Sequence, residues 1–408
     1  MKGESKNYKW LMLILISATY FLAQGTRQIY NAVLPQVKLD LAVDDVKLGL
    51  VGSVFTLTFG LVAPFAGFAA DFFRRKWMVV IGAAVFSLGV FLSGYATGIG
   101  FLLVSYGVVT ALGQSLMPPS NSSLISQYHV ETRGTAFSVY QTAIYLGIVV
   151  FTLIAGSFAA LGAGGWRLAF KVAGVFGLVW IALVAFFLHD TPQPVAAGAT
   201  DKASVPEALK AFFGKPSAVL LMLALGSYFF ATYGFKTWAP TYFTRMFPGM
   251  PQATVKFHSV IWFYIGAFLG VMLGGRVSDR FMGRRSAIRF EVELVGVLLC
   301  IPFSILMVTS TSLLGLCAAV GFFGFATGVY DSNLYAALMD IVSPRYRAVA
   351  VGIFGLGGCC VGALGPGVMG YLNGISPQVS FGSISVSCVL AAIFLVVIRC
   401  VTFKRDRI

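Results

Sequence analysis

Apolar runs of about 20 residues recur along nearly the whole 408-residue chain. Each is long enough to cross a ~30 Å hydrocarbon core as a helix. A soluble chain of this length needs about a quarter of its residues charged to cover its surface, whereas this one is 58% hydrophobic and 11% charged. The chain therefore reads as an all-α polytopic membrane protein. The runs place twelve spans at about 10–34, 47–70, 77–96, 99–126, 134–160, 166–188, 217–243, 255–278, 287–309, 311–341, 347–374 and 379–402. The longest must tilt or project beyond the bilayer. The first run is full length and lacks a small-residue cleavage site, so no cleavable signal peptide is expected.

A net charge of +14 invites a nucleic-acid reading, and the positions of the basic residues decide against it. With the N-terminus inside, the outer side receives only Lys38, Lys47, Arg167, Lys171, Arg245 and Lys256, while Arg27 and Lys236 lie within spans. Every other Lys and Arg of the 29 falls on the N-terminal side. That asymmetry is the positive-inside pattern, and it places both termini in the cytoplasm of a cell whose (inner) membrane the chain crosses. The six cysteines (Cys300, Cys317, Cys359, Cys360, Cys388 and Cys400) all lie in second-half spans without metal-ligand spacing. Such thiols are small hydrophobes, and neither a disulfide nor a metal site is expected.

One long polar interruption, His189 to Ser217, divides the chain into a first half at 1–189, a linker at 190–216 and a second half at 217–408. Within it, "VPEALKAFFGK" suits a short amphipathic surface helix. Each half carries one local signature: "GFAADFFRRK" closes span 2 and "GGRVSDRFMGRRS" closes span 8. A basic cluster alone marks a cytoplasmic end; Gly, then Asp, then a basic cluster at matching places in two six-span halves marks an internal repeat. In architecture and in both signature loops the chain resembles transporters of the major facilitator superfamily. In the first copy Phe72 stands where a basic residue is common and Arg74 where Gly is common. The resemblance implies two six-helix bundles related by an axis along the membrane normal, with a substrate site between them at mid-depth. It also implies that Asp71, Arg75, Asp279 and Arg284 brace a cytoplasmic gate rather than touch substrate.

The same resemblance assigns the cavity lining to spans 1, 4, 7 and 10, which hold the residues hardest to accommodate in lipid. Arg27, in "LAQGTRQIYNAVLPQV", has no acid within three positions, although an arginine at mid-membrane costs about 2.5–3.5 kcal/mol on insertion scales. Tyr20, Gln24, Arg27 and Asn31 share one helical face. Span 4 adds Gln114 and Asn121, span 7 adds Lys236 flanked by Tyr233 and Trp238, and span 10 adds Asp331. Gln141 and Tyr145, four residues apart on span 5, can hydrogen-bond substrate hydroxyls. Glu291 and Glu293 open span 9 near Arg284, Arg285 and Arg289, so pairing at the membrane boundary is expected.

Arg27 with Pro35 eight residues later also resembles helix 1 of the organophosphate:phosphate antiporters and the related anion:cation symporters. "MPPS" at Met117, "RGTAFSVYQTAIYLG" at Arg133, "GGWRLAF" at Gly164 and "GFKTWAPTY" at Gly234 follow in the order those groups show. The likeness implies that Arg27 binds an anion. By that alignment the second arginine of the phosphate exchangers falls on Thr232, with Lys236 one turn further on, and the acid of the proton-linked symporters falls near Gln114. One planar guanidinium rather than two favours a singly charged carboxylate over a phosphate dianion. The expected substrate is a small organic anion, a sugar acid or other carboxylate, carried by alternating access with a proton as coupling ion and Asp331 as the coupling carboxylate. The alternatives are an organophosphate exchanger and a proton-driven drug or metabolite exporter. An enzyme would need a catalytic pair such as HExxH, and a channel would need repeated pore rings; the sequence offers neither. No cofactor is expected, and the partners are substrate, proton and membrane lipid around a monomer, with no nucleic acid.

Overall fold

A computed structural model describes residues 8–129, 132–162, 164–189 and 205–407. Every regular element among the described residues is helical, because in lipid a helix satisfies all its backbone groups within one segment. Among those residues the twelve long helices are α1 (Tyr8–Asp40), α2 (Asp45–Phe72), α3 (Arg75–Ser93), α4 (Ile99–Tyr128), α5 (Arg133–Ala159), α6 (Gly165–Phe187), α7 (Pro216–Met246), α8 (Gln252–Phe281), α9 (Ile288–Thr309), α10 (Leu313–Met339), α11 (Arg347–Gly362 continued by Leu364–Asn373) and α12 (Pro377–Asp406). They match the twelve predicted spans within a few residues. Eleven described helices are long and apolar enough to cross a membrane. The 33-residue α1 is not one of them, and it carries Gln24, Arg27, Gln28 and Asn31.

The boundaries have local causes. Ser312 and Ser376 cap α10 and α12 by accepting from the amides of Gly315 and Gln378, each at 3.1 Å. Pro216 and Pro377 stand in the first turns of α7 and α12, where no helix hydrogen bond is lost. The short amphipathic helix forms as expected at Val205–Phe213, with Ala208 and Phe212 buried; residues 190–204 of the linker lie outside the described ones. The surface is inverted relative to a water-soluble protein: Phe65, Phe186, Leu314 and Val401 are all at least 71% exposed.

Two compact units divide the structure. The first holds α1, α2 from Val54 onward, α3 to α6, and Met250–Phe257 at the start of α8; the second holds Asp45–Ser53, α7, α8 from His258 onward, and α9 to α12. In the first, α1 packs on α5, and α3 on α4 and α6. In the second, α7 packs on α11, and α9 on α10 and α12. The same three pairings recur six helices later, which is the duplication expressed in packing. The start of α2 is tied into the second unit by polar contacts: Arg245 Nη2 donates to Asp45 Oδ2 at 2.6 Å, and the Gly367 amide donates to Ser53 Oγ at 2.9 Å. Within that unit α8 meets α10 through Gly266, Gly270 and Gly274. A Cβ on Gly270 would stand 2.0 Å from the Phe325 carbonyl oxygen, so only glycine permits this backbone approach.

Candidate functional site

In the first unit the polar stripe of α1 faces an aromatic and amide-lined wall. The Arg27 guanidinium, half-buried, lies over the Phe55 ring with 4.6 Å to its centroid. Phe55 in turn packs on Tyr106 at 5.1 Å, and Tyr106 stacks on Tyr30 at 4.5 Å. The Tyr106 hydroxyl donates to the Arg27 carbonyl at 2.9 Å, which fixes the backbone from which the guanidinium projects. Tyr106 belongs to a π-helical stretch of α4, Leu103–Thr110, a local widening of a kind that recurs at functional sites. Toward the N-terminus of α1, Tyr20 stacks on Tyr140 at 5.1 Å, and the Asn121 amide donates to the Tyr140 hydroxyl at 3.2 Å.

The predicted residues of this unit fall into two groups. Gln24 is half-buried beside Tyr20 on the Arg27 face. Asn31 is buried and donates to Gln28 Oε1 at 3.1 Å. Gln114 is fully buried and spends its amide on the Ala23 carbonyl at 2.6 Å, locking α4 to α1 one turn before Arg27. On α5, Gln141 is exposed and Tyr145 half-buried.

In the second unit, Asp331 is exposed and accepts from the Tyr228 hydroxyl at 2.8 Å. Tyr228 stacks on Tyr330 with 4.1 Å between centroids. Lys236 is half-buried, lies 5.5 Å from the Phe263 centroid, and is within electrostatic reach of Asp331. Thr232, where the phosphate exchangers carry their second arginine, is buried and turns its hydroxyl back to the Tyr228 carbonyl at 3.1 Å. The mid-helix cation of α7 is thus Lys236, one turn beyond Thr232. Tyr233 packs on Phe229 at 4.9 Å. Trp238 is buried, and its indole N–H donates to the Pro366 carbonyl at 2.9 Å; its one donor is used in holding α11 to α7.

The sequence missed Phe55, Tyr106, Tyr140 and Tyr228. Tyr228 had a signal available, because Tyr228, Thr232 and Lys236 follow at four-residue steps on one face of α7. The aromatic partners of Arg27 had none, since they come from other helices.

The membrane-boundary charges correct one expectation. Glu291 does pair, with Arg285 at 3.4 Å and Arg399 at 2.8 Å, and Arg289 takes Asp340 at 2.5 Å. Glu293 does not pair in that way: it is 1% exposed, and its Oε2 has no hydrogen-bond partner among the described residues. Of the signature loops, the Asp71 side chain lies outside the described ones. Arg75 is half-buried, its Nε and Nη1 without a hydrogen-bond partner among the described residues, and Asp279 and Arg284 are exposed.

Twelve long helices with an internally repeated packing, and charged groups set into helices of both units, define a duplicated polytopic membrane protein. The model of the Major Facilitator Superfamily matches residues 16–292 and 249–407, and the chain belongs to that superfamily. It is 24% identical over 386 residues to the probable anion transporter 4, chloroplastic, of Oryza sativa subsp. japonica, an alignment covering 89% of this chain and 64% of that protein. It is also 24% identical over 353 residues to the hexuronate transporter of Bacillus subtilis (strain 168), covering 83% and 82% of the two chains. Among solved structures, a bacterial homolog of the human lysosomal transporter spinster, in an inward-facing and unoccupied conformation, superposes with a TM-score of 0.82. The identity there is 22%, and 99% of each chain is covered.

Proposed function

We propose that the chain is a secondary transporter of a small organic anion, a sugar acid or other carboxylate, which Arg27 binds and a proton accompanies. The observation that carries this reading is Arg27 itself. A guanidinium in a membrane-spanning helix, backed by an aromatic wall, is costly unless it meets water or an anion, and its planar fork matches a carboxylate. Relatives named for anions and hexuronates support the substrate class. Lys236 supplies a second cation as a point charge, and Asp331 supplies a carboxylate within its electrostatic reach. Both termini are read as cytoplasmic, from the asymmetry of basic residues.

A radiotracer panel in proteoliposomes tests the reading. Saturable uptake of a sugar acid such as glucuronate, increased by an inward proton gradient, is expected; uptake confined to sugar phosphates would sink the carboxylate assignment. Asp71, Arg75, Asp279 and Arg284 are read as bracing a cytoplasmic gate. Asp279→Ala should therefore slow turnover several-fold while leaving equilibrium substrate affinity within about twofold, because a gate biases conformations rather than contacts. Calorimetric affinity falling in step with transport would count against the gate.

A further inference from the structure

A cleft of about 540 Å³ opens at one end of the second unit, where the chain enters α9 and leaves α12. Its walls carry Arg284, Arg285, Arg399, Lys404 and Arg407 against a single carboxylate, Glu291. That carboxylate is already shared between Arg285 and Arg399, at 3.4 and 2.8 Å. Arg284 and Lys404 therefore add positive charge that no acid on the cleft wall offsets, and Arg407 adds more, with Asp340 beyond the wall within its electrostatic reach. Ser286 and Ala287 line the same cleft directly before the 22-residue α9, and the Ala287 cap position offers no side-chain acceptor. The positive end of the helix dipole thus adds to the side-chain charge, although the Ile288 amide itself bonds the Arg285 carbonyl at 3.2 Å. The apolar side of the cleft is Phe403, buried with its ring 5.0 Å from that of Phe290.

Basic loops are expected at a cytoplasmic membrane boundary. Convergence of five cations and a helix N-terminus on one concave site is not, since like charges gathered in a cleft repel unless an anion joins them. Four of the five are arginines, whose forked donors match phosphate oxygens in pairs. On the same helix as Arg399 and Lys404, Ile393, Val396 and Val401 are 50%, 43% and 71% exposed. An acyl chain would lie along that face, with its headgroup one or two turns further on. We propose that the cleft binds a phosphate-bearing anion, namely the headgroup of an anionic membrane lipid. The inference is independent of which solute is transported. It rests on the chain crossing a membrane with this end in the cytoplasm, where anionic headgroups meet juxtamembrane basic residues.

The test uses the full-length protein purified in detergent, titrated with phosphatidylglycerol or phosphatidylcholine and read by native mass spectrometry. Wild type should retain phosphatidylglycerol in preference to phosphatidylcholine. The Lys404→Gln/Arg407→Gln double variant should lose roughly tenfold or more of that affinity. Arg405→Gln is the control, matched in charge to the single Lys404→Gln variant, since it removes one positive charge at a residue that pairs with Asp406 at 3.1 Å and does not line the cleft; it should bind as wild type does. Equal loss in Arg405→Gln, or no loss in the double variant, would overturn the site in favour of diffuse surface charge. Inorganic pyrophosphate in place of lipid separates the sources: weak binding that the lipid displaces supports the headgroup, while tight binding that excludes the lipid overturns it. Should the double variant melt early, Lys404→Gln alone, at an exposed position, carries the same comparison.

Discussion

Arg27→Ala is expected to remove saturable organic-anion uptake at substrate concentrations that saturate the wild type, while the protein stays inserted and folded. The reasoning weighs two opposed terms. Removing the guanidinium forfeits its packing over the Phe55 ring at 4.6 Å, worth about 0.5–2 kcal/mol, but it also removes an intramembrane charge that costs about 2.5–3.5 kcal/mol. Stability therefore does not fall. The Tyr106 hydroxyl still has its partner, since it bonds the residue-27 carbonyl rather than the side chain. Binding is different, because a hydrogen bond to a charged group is worth about 1.5–3 kcal/mol. Without the bidentate fork, affinity for the anion falls by about a hundredfold. Arg27→Lys should recover little, because a point charge does not reproduce the fork. Proteoliposome uptake with thermal melting of the same variants checks both halves. Near wild-type affinity in Arg27→Ala would remove the basis of the anion-binding assignment.

Asp331→Asn is expected to separate exchange from accumulation. The substitution keeps an oxygen to accept from the Tyr228 hydroxyl, now 2.8 Å from the carboxylate, so the local packing with Tyr228 and Tyr330 survives. What it removes is the group that can exchange a proton and interact with Lys236 by charge. In the proposed cycle an incoming anion draws Lys236 away from Asp331, and the acid takes up a proton, so that binding of the two is linked. Without the acid, labelled substrate should still exchange for unlabelled substrate at a comparable rate, while accumulation driven by an inward proton gradient falls to the level of passive equilibration. If Asp331→Asn still concentrates substrate, the proton travels elsewhere or the protein is an anion exchanger.

The helices were legible in the sequence because hydrocarbon imposes a single rule on every span. Each must be long, apolar and internally hydrogen-bonded, so runs such as 217–243 and 287–309 could be bounded from the residues alone. Arg27, Lys236 and Asp331 were legible for the complementary reason: a charge stands out against an apolar run without reference to any neighbour. The duplication was visible in the two signature loops, and the repeated packing of α1 on α5 and α7 on α11 expresses it again.

Only the tertiary structure decided how the other polar and aromatic groups are employed. From the sequence Gln114 and Trp238 look as available to a ligand as Gln24 or Lys236. Their amide and indole are instead used on carbonyls of Ala23 and Pro366, 91 and 128 residues away. Phe55 and Tyr106 reach Arg27 from two other helices, and Glu293 is buried while Glu291, two residues earlier, collects both arginines. The physical reason is shared by all of these. Helical periodicity says which residues lie on one face, but a set of mostly apolar helices gives no local signal for which faces meet. Those pairings are fixed by close backbone approaches, as at Gly270, and by long-range side-chain to carbonyl bonds that exist only once the helices are packed.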